Sequence, residues 1–307
     1  MICLTGDIHH MSLKTGNQAH CDITEAQVAQ RYLKMLEEAG VNVTFFVSGK
    51  CFAEEWSDIK PLCDSPNVEI GGHNWDCFEH KLWHRACNKL LGSYNGPAWA
   101  QRLDAQKTID IVRRKTGRPL RCWRNHMYMH GKYTEGVLAG CGLLVCSDGV
   151  RKAADGPERH ASGLLNFPIN VIPDHEHLYH AERTREWVEW WIRRYNWSDD
   201  FGSLSYDVEE WTEIVLEGLR QNEARGAVSN VLIHPITLYL CDRFRSFQRI
   251  LEFLSTHETV HMGTLCERTV ATMGTTSSQG RLQEEDRVPT IVRPSASQGA
   301  DARKGTV

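Results

Sequence analysis

The chain alternates short apolar runs with longer amphipathic stretches. Residues 2–5 form a brief apolar run that turns polar at Gly6 and Asp7, the pattern of a first strand. Thr24-Glu25-Ala26-Gln27 is a capping box, in which the Thr and Gln side chains each accept from the other residue's backbone N–H. After it Val28, Tyr32, Met35, Leu36 and Ala39 recur at helical spacing until Gly40, which can take the left-handed conformation that ends a helix. Residues 41–47 (VNVTFFV) are β-branched and aromatic and predict a buried strand; residues 68–72 (VEIGG) predict a shorter one running into His73. Further helices are predicted at 97–115, stopped by Gly117 and Pro119, and at 134–139, 185–195, 208–219 and 244–254. Extended segments are predicted at 121–123, at 142–146 before Ser147 and Asp148, at 165–172 around Pro168, at 231–233 and at 259–265.

Strands separated by helices of about 10–15 residues make βα units and a mainly parallel sheet. Some seven units favour an irregular (β/α)7-type barrel, one α/β domain over residues 1–270. No internal repeat is visible. From about Met273 small polar residues dominate without periodicity, so residues 271–307 are expected to be a disordered polar tail.

Composition narrows the function. The 307 residues are 41% hydrophobic and 24% charged, ordinary for a chain that buries a core. A net charge of −4 does not provide the basic footprint of a nucleic-acid binder. No apolar run approaches the roughly 18–20 residues that span a bilayer, and the opening turns polar too soon for a secretory signal. The 11 cysteines are odd in number, scattered and without a C-x-x-C pair, which predicts reduced, mostly buried thiols in a cytoplasmic protein. The 15 histidines direct attention to metal chemistry.

In parallel α/β architectures, functional residues gather at the carboxyl ends of strands. Here those ends carry Asp7 with His9 and His10, His73, Arg124 and His234. Each alone reads as a cap or a turn residue. Together they are a carboxylate and several imidazoles, the set that a divalent metal with an open coordination position takes.

The order of these segments resembles the polysaccharide deacetylase family (NodB homology, carbohydrate esterase family 4) over roughly residues 1–265. Thr5-Gly6-Asp7-Ile8-His9 stands where that family has T-F-D-D-G, and Asn42-Val43-Thr44-Phe45-Phe46-Val47 where it has A-T-F-F-V. Glu69-Ile70-Gly71-Gly72-His73 matches the first half of E-I-G-x-H-[ST]-x-x-H. Trp123-Arg124-Asn125-His126 stands at R-x-P-[YFW], and Leu232-Ile233-His234-Pro235 at L-x-H-P. The chain also departs from the pattern. Ile8 cannot replace a metal-binding Asp, which leaves His9 as the ligand there. Cys77 occupies the second His position, with His80 as its substitute, and His126 replaces the Pro and could itself approach the metal.

The resemblance implies a barrel fold and Zn²⁺ or another divalent metal that polarises an acetamide carbonyl and acidifies a bound water. It makes Asp7 the base, His234 the acid toward the leaving amine and Arg124 the residue that orients Asp7, with His9, His73 and Cys77 or His80 as ligands. It implies a carbohydrate partner. For a cytoplasmic protein that means an acetamido sugar on a nucleotide or lipid carrier, or a surface-glycan precursor such as that of lipopolysaccharide.

Other signals compete. His257-Glu258-Thr259-Val260-His261 matches the H-E-x-x-H of zinc peptidases, but that motif needs a helix and Thr259 and Val260 favour a strand. His175-Glu176-His177 would place two imidazoles on one side of a strand as a second metal site or a substrate contact, or would be a solvated loop. Trp187, Trp190 and Trp191 are at helical spacing and read as core rather than as a sugar platform. With ligands altered in two motifs, a relative that lost its metal and only binds sugar is the non-enzymatic alternative.

Overall fold

In the computed structural model, which describes residues 1–13, 16–181 and 183–280, every residue of β1 (Ile2–Ile8) is buried. The capping box at Thr24 forms and starts α1 (Glu25–Glu38), and β2 (Val43–Val47) follows, also wholly buried. Two helices without a clear sequence signature, α2 (Gly49–Glu54) and α3 (Trp56–Asp64), return the chain to β3 (Val68–Gly72). Next come α4 (Lys81–Leu91), α5 (Ala98–Thr116), β4 (Cys122–Trp123), α6 (Thr134–Gly140) and β5 (Val145–Cys146). The chain continues through β6 (Glu158–Arg159), β7 (Leu165–Asn166), α7 (Asp174–His177), α8 (Arg185–Tyr195), α9 (Val208–Ala224) and β8 (Ser229–Leu232). It then passes through α10 (Pro235–Asp242), α11 (Phe247–Ser255) and α12 (Met262–Gly280). Residues Met1–Thr269 form one compact unit.

The strands lie in the order β6-β7-β5-β4-β3-β2-β1-β8, parallel throughout except for β6 with β7. The sheet curls until its two sides meet. Asn170 N donates to Asn230 O (3.3 Å), Asn230 N to Asn170 Oδ1 (2.7 Å) and Asn230 Nδ2 to Phe167 O (2.8 Å). Asparagine side chains, rather than a continuous ladder, bridge the stretch after β7 to β8. The barrel is therefore irregular, as expected. Tyr32 of α1 packs its ring on Phe247 of α11 at 4.5 Å, and both are fully buried. Burial of such a side chain contributes about 1.5–3 kcal/mol. Gly72 is required where it stands, because a Cβ there would come within 2.4 Å of the Trp123 ring.

Three expectations change. Residues 259–265 keep only an isolated bridge between Thr259 and Ile2, and the chain turns into α12 at Met262. The cause is remote: Met262 N donates to Thr44 Oγ1 (3.0 Å) and Gly263 N to Glu69 Oε2 (2.8 Å), so the sheet supplies the acceptors for the first turn. That helix runs to Gly280, into the stretch expected as tail, and residues 281–307 lie outside the described residues. The tryptophans of α8 are not core. Only Val188 of that helix is buried, Trp190 is 50% exposed, and Trp187 and Trp191 stack at 5.8 Å beneath the Arg183 guanidinium. Among the described residues no helix is long and apolar enough to cross a membrane.

Candidate active site

Asp7, one residue before the end of β1, is nearly inaccessible and points its carboxylate at Arg124, which follows β4. Arg124 is fully buried with its donors matched. Nη1 donates to Asp7 Oδ1 (2.8 Å), Nη2 to Ser147 Oγ (2.7 Å) and Thr5 Oγ1 (3.0 Å), and Nε to Ser147 O (3.0 Å). Its guanidinium lies 4.3 Å from the centre of the Phe46 ring. Burial works to raise the Asp7 pKa, but Arg124, and then His73, His234 and His9, outweigh it and lower it to about 2. The other oxygen, Oδ2, lies 3.8 Å from both His73 Nε2 and His234 Nε2.

His73 caps β3 and is fully buried; its Nδ1–H donates to the Arg124 carbonyl oxygen at 2.9 Å. His9 Nδ1–H donates to Glu25 Oε2 at 2.9 Å, and the same oxygen accepts from His9 N. A carbonyl and an ionised carboxylate only accept, so both rings carry a proton on Nδ1 and turn Nε2 toward the centre of the cluster. Burial pushes Glu25 up, but His9 more than offsets this and keeps it ionised. The two Nε2 atoms face each other at 3.2 Å, and His73 Nε2 lies 3.3 Å from His126 Nδ1. Burial lowers His73 to about 3, and burial with the neighbouring imidazoles lowers His126 well below the usual histidine range.

Three imidazole nitrogens converging at these distances offer a donor set for a cation. Ligand nitrogens about 2.0–2.1 Å from a tetrahedral zinc are themselves about 3.3 Å apart, so the donor set fits such an ion. The carboxylate behind His9 and the carbonyl behind His73 are the outer partners that orient metal-bound imidazoles.

Cys77 is buried, and its Sγ lies within 4.8 Å of the ligand atoms of His9, His73 and His126. Its thiol proton is directed at the His73 carbonyl oxygen (3.5 Å), and burial pushes its pKa well above the usual thiol value. His80 is not brought to the cluster; it is exposed at the start of α4. His126 reaches it because the turn after β4 is held from both sides: His126 N donates to Asn74 Oδ1 (2.8 Å) and Asn125 N to Asp148 Oδ1 (2.8 Å). Met127 and Tyr128 in that turn, like Cys77 and Phe78 after β3, hold left-handed backbone without being glycine, a cost that tends to collect at functional sites.

On the opposite side, His234 follows β8 and is gripped by Asp174 of α7. Its Nδ1–H donates to Asp174 Oδ1 (2.8 Å) and its backbone N–H to Oδ2 (2.7 Å). Burial works to lower the His234 pKa, but Asp174, then Asp7 and Glu176, raise it to about 9. His234 is therefore a protonated donor at neutral pH.

Asp174 and Glu25 were not singled out for chemistry in the sequence. Glu25 looked like part of a capping box, and Asp174 like the entry to a polar loop. The D-H-E-H segment is one helical turn, not a strand or a solvated loop. Its two imidazoles diverge. His175 lies against His234 (5.6 Å between ring centres), whereas His177 is buried and bonded to Leu204 O and Asp199. The H-E-x-x-H residues also separate. His257 stacks on Phe253, and His261 donates from Nε2 to Asn67 O. No peptidase-type zinc pair forms from them.

The irregular barrel agrees with the comparisons. Residues 20–143 match the family model described as polysaccharide deacetylase. No curated protein matches the sequence. Among solved structures, a Mycobacterium smegmatis protein classed as a polysaccharide deacetylase has a TM-score of 0.64 at 18% identity, covering 96% of this chain and 94% of that one. The allantoinase Puue has a TM-score of 0.61 at 13% identity, covering 88% and 90%. A family 4 acetyl xylan esterase from Clostridium thermocellum, in complex with a cobalt ion, has a TM-score of 0.50 at 15% identity, covering 86% and 89%. Over residues 20–143 the sequence is similar to the polysaccharide deacetylase family, and the fold is the one these solved structures share.

Proposed function

We propose that the protein hydrolyses the N-acetyl amide of a carbohydrate, using a divalent metal held by His9, His73 and His126. The observation that carries this reading is the pair of Nε2 atoms of His9 and His73 facing at 3.2 Å, with His126 beside them and Asp7 behind. Zinc fits the imidazole donors, and the cobalt in the esterase from Clostridium thermocellum supports a divalent ion at such a site. The metal, when bound, supplies the Lewis acidity that polarises the acetamide carbonyl and acidifies the attacking water.

Asp7 is the acceptor for that water's proton. Held at about 2 by Arg124, it takes a proton only from a strongly acidified water, which is why base and metal belong together. His234, kept protonated by Asp174, delivers a proton to the departing amine nitrogen. Arg124 fixes the direction of the Asp7 carboxylate and keeps it ionised until it takes the water's proton. All eleven cysteines are free thiols, which supports a reducing compartment. An intracellular acetamido sugar, such as a surface-glycan or lipopolysaccharide precursor on its carrier, is then the substrate class.

Purified protein is expected to hold close to one equivalent of divalent ion by elemental analysis. It should release acetate from N-acetylglucosamine oligomers or nucleotide-linked N-acetylglucosamine. His73→Ala should lose ion and turnover together. Folded protein that takes up neither added zinc nor cobalt and releases no acetate would overturn the reading in favour of a metal-free sugar-binding relative. Turnover of a ureide with no acetate release would instead move the substrate class toward that of the allantoinase neighbour.

A further inference from the structure

One helix turns an apolar stripe away from the rest of the protein. Only Cys87 of α4 is buried, whereas Leu82 and Leu90 are 82% and 79% exposed, with Trp83 and Ala86 on the same side of the helix. Trp83 sits against Gly96 in the turn that leads into α5, where Trp99 and Leu103, one turn apart, are exposed as well. A contiguous exposed apolar patch of this kind marks a surface that something covers.

Its flank says what. Lys81, Arg85 and Lys89 recur every four residues beside the stripe, and α4 contains no acidic residue. Among the described residues none of the three has a carboxylate partner. This is a local reversal of sign on a chain of net charge −4. Tryptophan and leucine edged by one row of cations match an anionic lipid interface: the apolar side chains enter between the headgroups and the cations meet the phosphates. A second copy of the chain fits less well, since it brings both cationic rows together with no acidic counterpart on either helix.

We infer that α4, with the start of α5, docks the protein on an anionic membrane surface. The helix is close to the chemistry. His84 on its inner side packs on Phe78 at 4.7 Å, and the Phe78 ring lies 5.8 Å from His126, so one aromatic layer separates the docking helix from the histidine cluster. The inference does not depend on the deacetylase reading; where both hold, a lipid-carried sugar reaches the site from the surface on which the protein sits.

The test uses the full chain with vesicles of equal parts phosphatidylglycerol and phosphatidylcholine, and with phosphatidylcholine alone, and measures bound protein by flotation. Binding is expected to the anionic vesicles only, and to weaken as salt rises. The double variant Leu82→Glu/Leu90→Glu should bind at least about tenfold more weakly, and Lys81→Glu/Arg85→Glu/Lys89→Glu about a hundredfold. Thermal unfolding should stay unchanged, because all the substituted side chains are exposed. Wild-type protein that floats with neither vesicle, or variants that bind as well as wild type, would overturn the inference. So would concentration-dependent dimerisation abolished by Leu82→Glu/Leu90→Glu without vesicle binding, which assigns the face to a second copy.

Discussion

Asp7 and His234 lie 3.8 Å apart with opposite proton affinities, and each is set by one buried partner. Arg124 holds Asp7 down and Asp174 holds His234 up. The sign of each contribution to stability follows. Asp7, lowered from 3.8 to about 2, stabilises the fold above 3.8 and loses that contribution as pH falls through about 2. His234, raised from 6.5 to about 9, stabilises it below 6.5 and loses that contribution as pH rises through about 9. As the acid, His234 should also set an alkaline limb of turnover near 9. Asp174→Asn removes the strongest raising charge, so the limb should move toward neutrality in the pH profile of acetate release; an unmoved limb would remove His234 from the acid role. Asp7→Asn should lower kcat by about 10²–10⁴-fold. It also leaves the Arg124 charge buried without its partner, at a cost of about 3–5 kcal/mol read by denaturant unfolding.

At the scale of elements, α1 performs two tasks with adjacent residues. Thr24 closes the helix start, with its hydroxyl accepting from Gln27 N at 3.1 Å, and Glu25 reaches back to His9. These tasks can be separated. Thr24→Ala should cost about 1 kcal/mol of stability and leave metal content unchanged. Glu25→Gln should weaken metal affinity about 10–100-fold, measured by competition with a chelator. Much of this level was legible in the sequence. The capping box, the buried β2 and the strand ending at His73 stand where the pattern placed them. The start of α12 was not legible, because its acceptors, Thr44 and Glu69, belong to strands far away in the chain. Nor was α10, which begins at Pro235 directly after His234; Pro at a first helical position marks a start, but the apolar run before it reads only as strand.

For the whole molecule, closure rests on Asn170 and Asn230. Asn170 donates to Ala154 O (2.8 Å) and Val228 O (2.9 Å) and accepts from Asn230 N, while Asn230 Nδ2 also reaches Ser147 Oγ, the hydroxyl that accepts from Arg124. The seam therefore braces the residue that orients Asp7. Asn170→Leu takes the side-chain partner away from Asn230 N and Val228 O, at about 1–3 kcal/mol each. Thermal unfolding should show a clear drop in Tm, and turnover should fall even in the protein that remains folded. A Tm within error of wild type would mean that the seam closes without this side chain.

The sequence alone determined the alternation of strands and helices, the family pattern, and the placing of Asp7, His73, Arg124 and His234 at strand ends. Period, capping and apolar runs are local, and strand ends of a parallel sheet share one rim whatever lies between them. Only the tertiary structure decided which histidines meet. It brought His126 to His9 and His73, left His80 in solvent, and placed Glu25 and Asp174 behind the rings that they orient. Such choices depend on how loops after different strands are held against one another, and on burial that turns an ordinary polar residue into a partner for a specific nitrogen. Neither leaves a periodic mark along the chain.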